Sequence, residues 1–199
     1  MNLQKLLKRK VTNQGKIGVF NVGHDEYWDQ FPGLKDKLIN HYNYFVDKLQ
    51  ENAGSKIIKA EGICDNTQKA FKTGDYFAEK DLNMIFCFLA TYTPSGNVLP
   101  VLRKLDIPVI LVALQPQKAL DYENATTEMQ LENDNLTSLP EISNSLIRSD
   151  KKLVDCIIGH LYEDEKAWES IYTWCEIADV LNSLNNSIIG YLGHVYEGM

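Results

Sequence analysis

Asn83-Met84-Ile85-Phe86-Cys87-Phe88-Leu89 places six apolar residues in an unbroken row after one polar residue. A strand with one wet face alternates between apolar and polar. A continuous run of this length is what a strand buried on both faces needs, and such strands belong to parallel sheets covered by helices above and below. Working outward, Lys16-Ile17-Gly18-Val19-Phe20-Asn21-Val22 upstream reads the same way, and Ser55 to Ala60 supplies a shorter strand between the two. Downstream, Ile107-Pro108-Val109-Ile110-Leu111-Val112-Ala113-Leu114 and Leu153-Val154-Asp155-Cys156-Ile157-Ile158-Gly159 read as strands four and five. Ser187-Ile188-Ile189-Gly190-Tyr191-Leu192 reads as a sixth.

Helical patterns fill the intervals. Leu38, Tyr42, Phe45 and Leu49 share one face of a helix over 34–52, and a second helix is expected over 66–79. Pro94 is expected to open a third, because a first-turn N–H has no intrahelical partner to lose; Val98, Leu99, Val101, Leu102 and Leu105 would carry its apolar face. A short helix over 141–147 and a long one over 163–184 complete the set. The packing stripe of the last is Trp168, Ile171, Tyr172, Cys175, Ala178 and Leu181. Strands alternating with helices through right-handed crossovers predict an α/β fold of three layers, α/β/α. The expectation is a Rossmann/flavodoxin-like doubly wound parallel sheet in the order 2-1-3-4-5, continued by strand six. Residues 115–139 break the rhythm and read as a loop insertion, since connections of that length are functional or disordered. Between Ala119 and Ile147 there are six acids and no bases.

The 199 residues, 44% of them hydrophobic, suffice for one domain with a full core. A net charge of −7 opposes nucleic-acid and anionic-membrane binding, which need concentrated Lys and Arg. The basic stretch Met1 to Lys10 lacks a signal-peptide core, and no apolar run approaches the roughly 20 residues of a membrane span. A cytoplasmic location is therefore expected. Cys64, Cys87, Cys156 and Cys175 have no metal-ligand spacing and are expected as free, buried thiols.

Three loops at the carboxyl ends of strands concentrate polar and aromatic residues: 23–33, holding His24, Asp25, Glu26, Tyr27 and Trp28; 90–95, holding Thr91, Tyr92 and Thr93; and 193–199, holding His194 and Glu197. Ligands of doubly wound sheets bind at this edge. Carboxylates bond sugar hydroxyls in either direction and aromatic faces cover the C–H surface of a ring, so the mixture suits a polyol. Neither GxGxxG nor GxxxxGK[ST] follows any strand, which removes the usual phosphate cradles. A flavin electron carrier is disfavoured because the first loop is acidic. His24, His41, His160 and His194 form no metal-binding pair; His41 is expected on a helix surface, His160 as a structural hydrogen bonder, and Asp25 with Glu26 as a solvated pair.

Taken in order, these segments resemble the N-terminal region of the L-arabinose isomerase and L-fucose isomerase-like sugar isomerases. The likeness rests on Phe20-Asn21-Val22-Gly23 with Tyr27-Trp28, and on Thr91-Tyr92-Thr93-Pro94. It extends through Ile107-Pro108-Val109, Ile158-Gly159-His160, Ala167-Trp168 and Trp174 to Gly190-Tyr191-Leu192-Gly193-His194 with Glu197-Gly198-Met199. The resemblance implies a Rossmann-like N-terminal domain of a larger manganese-dependent aldose–ketose isomerase, assembled as a trimer or hexamer with active sites between subunits. It also implies that the metal ligands lie in C-terminal domains outside this chain, leaving the chain inactive alone. Asp25, Tyr27 and Tyr92 would frame the sugar, with Thr91, Thr93, His194 and Glu197 beside them. Ala90 and Ser138 stand where arabinose isomerases often carry histidine, so the resemblance does not imply strict L-arabinose specificity. A non-enzymatic sugar-sensing or interaction module of the same fold is the alternative.

Overall fold

The structure, a computed structural model, describes residues 14–188 together with Gly190 and Gly193. Five strands form one parallel sheet: β1 (Lys16–Val22), β2 (Lys56–Lys59), β3 (Met84–Leu89), β4 (Val109–Gln115) and β5 (Leu153–His160), in the order β2-β1-β3-β4-β5. The expected order is observed. The expected sixth strand, 187–192, lies largely outside the described residues, as do His194, Glu197 and the basic stretch 1–10.

Alternation along β3 shows why its run is apolar throughout. Met84, Phe86 and Phe88 enter the cluster under α1 (Leu34–Asn52) and α6 (Glu165–Asn185). Ile85, Cys87 and Leu89 enter the cluster under α2 (Thr67–Ala78), α3 (Leu99–Leu102) and α5 (Ser138–Arg148). Every residue of β3 is buried. At about 25 cal/mol per Å² of apolar surface removed from water, these two faces are the main source of stability. Phe45 stacks on Phe88 with centroids 5.0 Å apart and lies 5.5 Å from Trp168, tying α1 to both the sheet and α6.

Two expectations change. Pro94 does not open a long helix: its extended backbone caps a 3-10 turn over Ser95–Asn97, and only the four residues of α3 follow. The 115–139 segment is not a plain solvated loop. It contains α4 (Thr127–Glu132), capped by the Thr126 side chain, and buries Leu131, Asn133, Asn135 and Ser138. Asp121 and Glu123 face water, Glu132 and Asp134 are half-buried, and Asn133, Asn135 and Ser138 face inward, a pattern without the periodicity that sequence reading depends on.

The free cysteines follow expectation except Cys156, which is only half-buried on the edge strand β5. Burial pushes the Cys64 thiol up to about 11 and the Cys175 thiol up to about 12, so both remain protonated at neutral pH. His41 is not a bare surface residue. Its Nδ1 lies 2.7 Å from Tyr162 Oη and its Nε2 2.8 Å from Glu132 Oε1, joining α1 to α4 and to the loop after β5. Among the described residues no helix is long and apolar enough to cross a membrane.

Candidate functional site

From β1 the chain turns towards β2, and from β3 towards β4, so the loops after β1 and β3 diverge. The crevice between them is where a doubly wound sheet meets its ligand. The loop after β1 makes a 3-10 turn over Asp25–Tyr27. Trp28 then folds back over Gly23, where an added Cβ would come within 3.2 Å of the indole and 2.8 Å of Ile63.

The indole is fixed by Asp65. Trp28 Nε1 donates to Asp65 Oδ2 at 2.9 Å, and Lys69 Nζ donates to both carboxylate oxygens at 2.6 and 2.8 Å. Lys35 Nζ stands 3.6 Å away. Burial alone would raise the Asp65 pKa. The hydrogen bonds from Lys69 and Trp28, with the charges of Lys69 and Lys35, outweigh that and hold the carboxyl below its ordinary range.

The loop after β3 is tied to the first loop through Gly23. Thr93 Oγ1 donates to Gly23 O at 2.7 Å, and Asn97 Nδ2 donates to Gly23 O at 3.0 Å and to Asp65 O at 2.9 Å. Thr91 Oγ1 donates to Leu131 O at 2.6 Å, and Ser138 Oγ accepts from Thr93 N at 2.6 Å. Thr91 and Thr93 are therefore fully buried, with their hydroxyl protons committed to carbonyls.

Asp25, Tyr27 and Tyr92 sit together at the crevice mouth around a residue that sequence reading did not rank, His24. Its ring centroid is 5.2 Å from that of Tyr27 and 6.3 Å from that of Tyr92. Asp25 is exposed and its Oδ1 lies 3.6 Å from His24 Nδ1, beyond hydrogen-bond reach. The 115–139 segment and α5 close the other side. Glu141 accepts from Ser95 N at 2.8 Å and from Tyr92 Oη at 3.3 Å, while Asp134 accepts from Thr137 Oγ1.

Electrostatically the crevice retains protons. Burial, then the nearby Asp134 carboxylate and Tyr92, raise the Tyr27 pKa; burial, then Glu141, raise that of Tyr92. Burial also raises the Asp134 carboxyl, against the opposing hydrogen bond from Thr137. Both phenols are consequently hydrogen-bond donors at neutral pH, bordered by the carboxylates of Asp25, Asp134 and Glu141.

Near these loops lie buried polar atoms that make no hydrogen bond. Among the described residues the buried side-chain atoms that make no hydrogen bond are Asn21 Nδ2, His24 Nδ1 and Asn135 Oδ1, all at this end of the sheet. Asn21 was legible as the one polar interruption of the β1 run. Asp134, Asn135 and Glu141 carried no such signal. Among the described residues no group of three or more His, Cys, Asp or Glu side chains is arranged to hold a metal ion. No family model matches the chain, and no curated protein does.

Proposed function

We propose that the chain is the N-terminal substrate-framing and oligomerisation domain of an L-arabinose isomerase-like aldose–ketose isomerase. The observation that carries this reading is the convergence of Tyr27, Tyr92 and Asp25 around His24 at the crevice between the β1 and β3 loops. Those loops hold the Tyr27-Trp28 and Thr91-Tyr92-Thr93-Pro94 segments on which the family resemblance rests. The chemistry agrees with it. Phenol donors and carboxylate acceptors pair with hydroxyls, and the ring faces take the apolar side of a sugar. Three carboxylates around one crevice disfavour a phosphorylated substrate.

In this reading Glu and His side chains of C-terminal domains would hold a manganese ion that would supply Lewis-acid chemistry, and this chain orients the sugar. Apolar side chains support a neighbouring domain or subunit on the open side: Val154 and Ile158 of edge strand β5 are 45% and 55% exposed, and Val180 and Leu184 of α6 are 56% and 65% exposed.

The test is ketose formation from L-arabinose and L-fucose by the full-length protein with Mn²⁺, compared among Asp25→Ala, Tyr92→Ala and the exposed control Lys166→Ala. Loss of a hydroxyl partner should lower kcat/KM by about 1–3 kcal/mol in each site variant, with Mn²⁺ affinity unchanged. Site variants that match the control in turnover would leave these loops with a structural role only.

A further inference from the structure

Asn21 and Asn135 are each 1% exposed, and each keeps one amide atom unpaired. Buried polar groups are almost always hydrogen-bonded, because an unpaired one forfeits its hydration without replacement. Three orphans gathered at one place therefore need a physical account.

Their positions converge on one rung of the sheet. Ala90 N donates to Val22 O, and Asn135 Nδ2 donates to Leu89 O at 2.6 Å and Ala90 O at 3.3 Å, so Asn135 sits on the end of β3. Asn21 immediately precedes Val22, and His24 follows it by two residues. Asn21 alternates with Ile17 and Val19, which face α1 and α6, so its amide lies on the side of the sheet that α1 covers. Neighbouring strands are about 4.8 Å apart, so Asn21 and Asn135 occupy adjacent strand ends, and His24 lies in the loop that continues from Asn21.

Their chemistry is complementary as well as close. Asn21 Nδ2 can only donate and Asn135 Oδ1 can only accept, while His24 Nδ1 does either according to tautomer. A hydroxyl both donates and accepts. Two adjacent hydroxyls of one ligand would satisfy all three atoms, whereas a carboxylate or phosphate would leave Asn135 Oδ1 unpaired and face Asp134 beside it.

Resting on the sugar reading above, we propose that Asn21, His24 and Asn135 form the inner wall of the sugar site and determine which hydroxyl configuration it accepts, while Asp25 and Tyr92 form its outer rim. The orphan atoms are closed to water, so the ligand reaches them by parting the partly exposed Tyr27 and Tyr92 rings. The ligand class is a neutral, unphosphorylated polyol, whose hydroxyls can both donate and accept.

Two readouts on the full-length protein test this: Kd by titration calorimetry for L-arabinose, L-fucose and their sugar alcohols, and the Tm of the sugar-free protein. The variants are Asn21→Leu, which removes the orphan donor at similar size, and His24→Phe, which keeps a ring beside Tyr27 and Tyr92. Kd should rise by roughly tenfold, as expected when a bonded hydroxyl loses its partner. The sugar-free Tm of Asn21→Leu should hold or rise, because the site loses an unpaired group. A fall in that Tm with Kd unchanged would mean that a resident water had satisfied the amide, and would overturn the proposal. If Tyr92→Ala weakens binding but neither inner variant does, the rim reading stands and the inner wall fails. If the unaltered protein binds none of these probes, the sugar reading itself fails and takes the inner wall with it.

Discussion

The two ends of β1 solve opposite problems. At its amino end each polar group at the junction with α6 and β3 is matched. Gly15 N donates to Asp179 Oδ1 at 2.6 Å, Ser55 Oγ lies 2.8 Å from both that oxygen and Cys175 O, and Lys16 N donates to Asn83 Oδ1 at 2.8 Å. At its carboxyl end Asn21, and beyond it His24, keep buried atoms that make no hydrogen bond. One strand thus runs from a fully hydrogen-bonded joint to an end where buried atoms make no hydrogen bond. The difference separates polar groups that hold the fold from polar groups that the fold holds in place.

The sharpest way to break that comparison is at Asp65, which lies at the carboxyl end but is fully matched. It anchors Trp28 and, through its backbone carbonyl, Asn97, so the crevice walls should be rigid even though its interior is unsatisfied. Asp65→Ala should cost about 2–3 kcal/mol in denaturant unfolding, the scale of lost hydrogen bonds to a charged group. The sign with pH follows from the lowered carboxyl. Its stabilisation is present above the ordinary carboxylate value of 3.8 and is lost as pH falls through the lower folded value. The stability gap between the unaltered protein and Asp65→Asn should therefore close as the solution is acidified below that range. A gap that widened in acid would contradict the assignment.

A smaller effect is expected at the amino end. Asp179→Ala removes the acceptor of Gly15 N and one acceptor of Ser55, which keeps its bond to Cys175 O, and should cost about 1–2 kcal/mol. Under the proposed sugar reading, turnover should not change, since the length of the sheet separates the two ends. Thermal unfolding and kcat/KM measured on the same preparation check both halves. An equal loss of turnover and stability would show that the ends are coupled.

The contrast also explains what the sequence could disclose. Strand order and both covered faces were legible because β3 and β4 must be apolar on both sides, and no other common environment asks that of such short runs. Asp25, Tyr27 and Tyr92 stand out as candidates because they follow strands at the edge where ligands of such sheets bind, and the structure brings them together around His24. His24 was passed over because it was weighed as a metal ligand, and its role depends on two rings brought together from separate loops. Asp134, Asn135 and Glu141 were hidden for a different reason. A segment whose buried residues are mostly amides and hydroxyls has no apolar period, so 115–139 reads only as a loop insertion, although it contains α4 and packs buried amides against the end of β3.

The finest test concerns Glu141, whose carboxylate bridges Ser95 N and Tyr92 Oη and so sets the angle of the Tyr92 ring beside His24. Glu141→Gln keeps one oxygen for Ser95 N but replaces the charge facing the phenol with an amide that donates to it. Because the bridge is exposed, the stability change should be within about 0.5 kcal/mol. The phenol should respond more clearly. Burial and then Glu141 raise the Tyr92 pKa above its ordinary 10.0, so removing the charge should move the Tyr92 titration downward in an ultraviolet pH titration, with Tyr92→Phe used to assign the step. The sign for stability is the reverse of that at Asp65. A phenol held protonated in the folded state contributes stability that is fully present below 10.0 and lost as pH rises through the folded value, so Glu141→Gln should bring this alkaline loss to lower pH. A Tyr92 titration that did not move would mean that Glu141 serves only the Ser95 turn, and that the Tyr92 ring is positioned by its contacts with His24 alone.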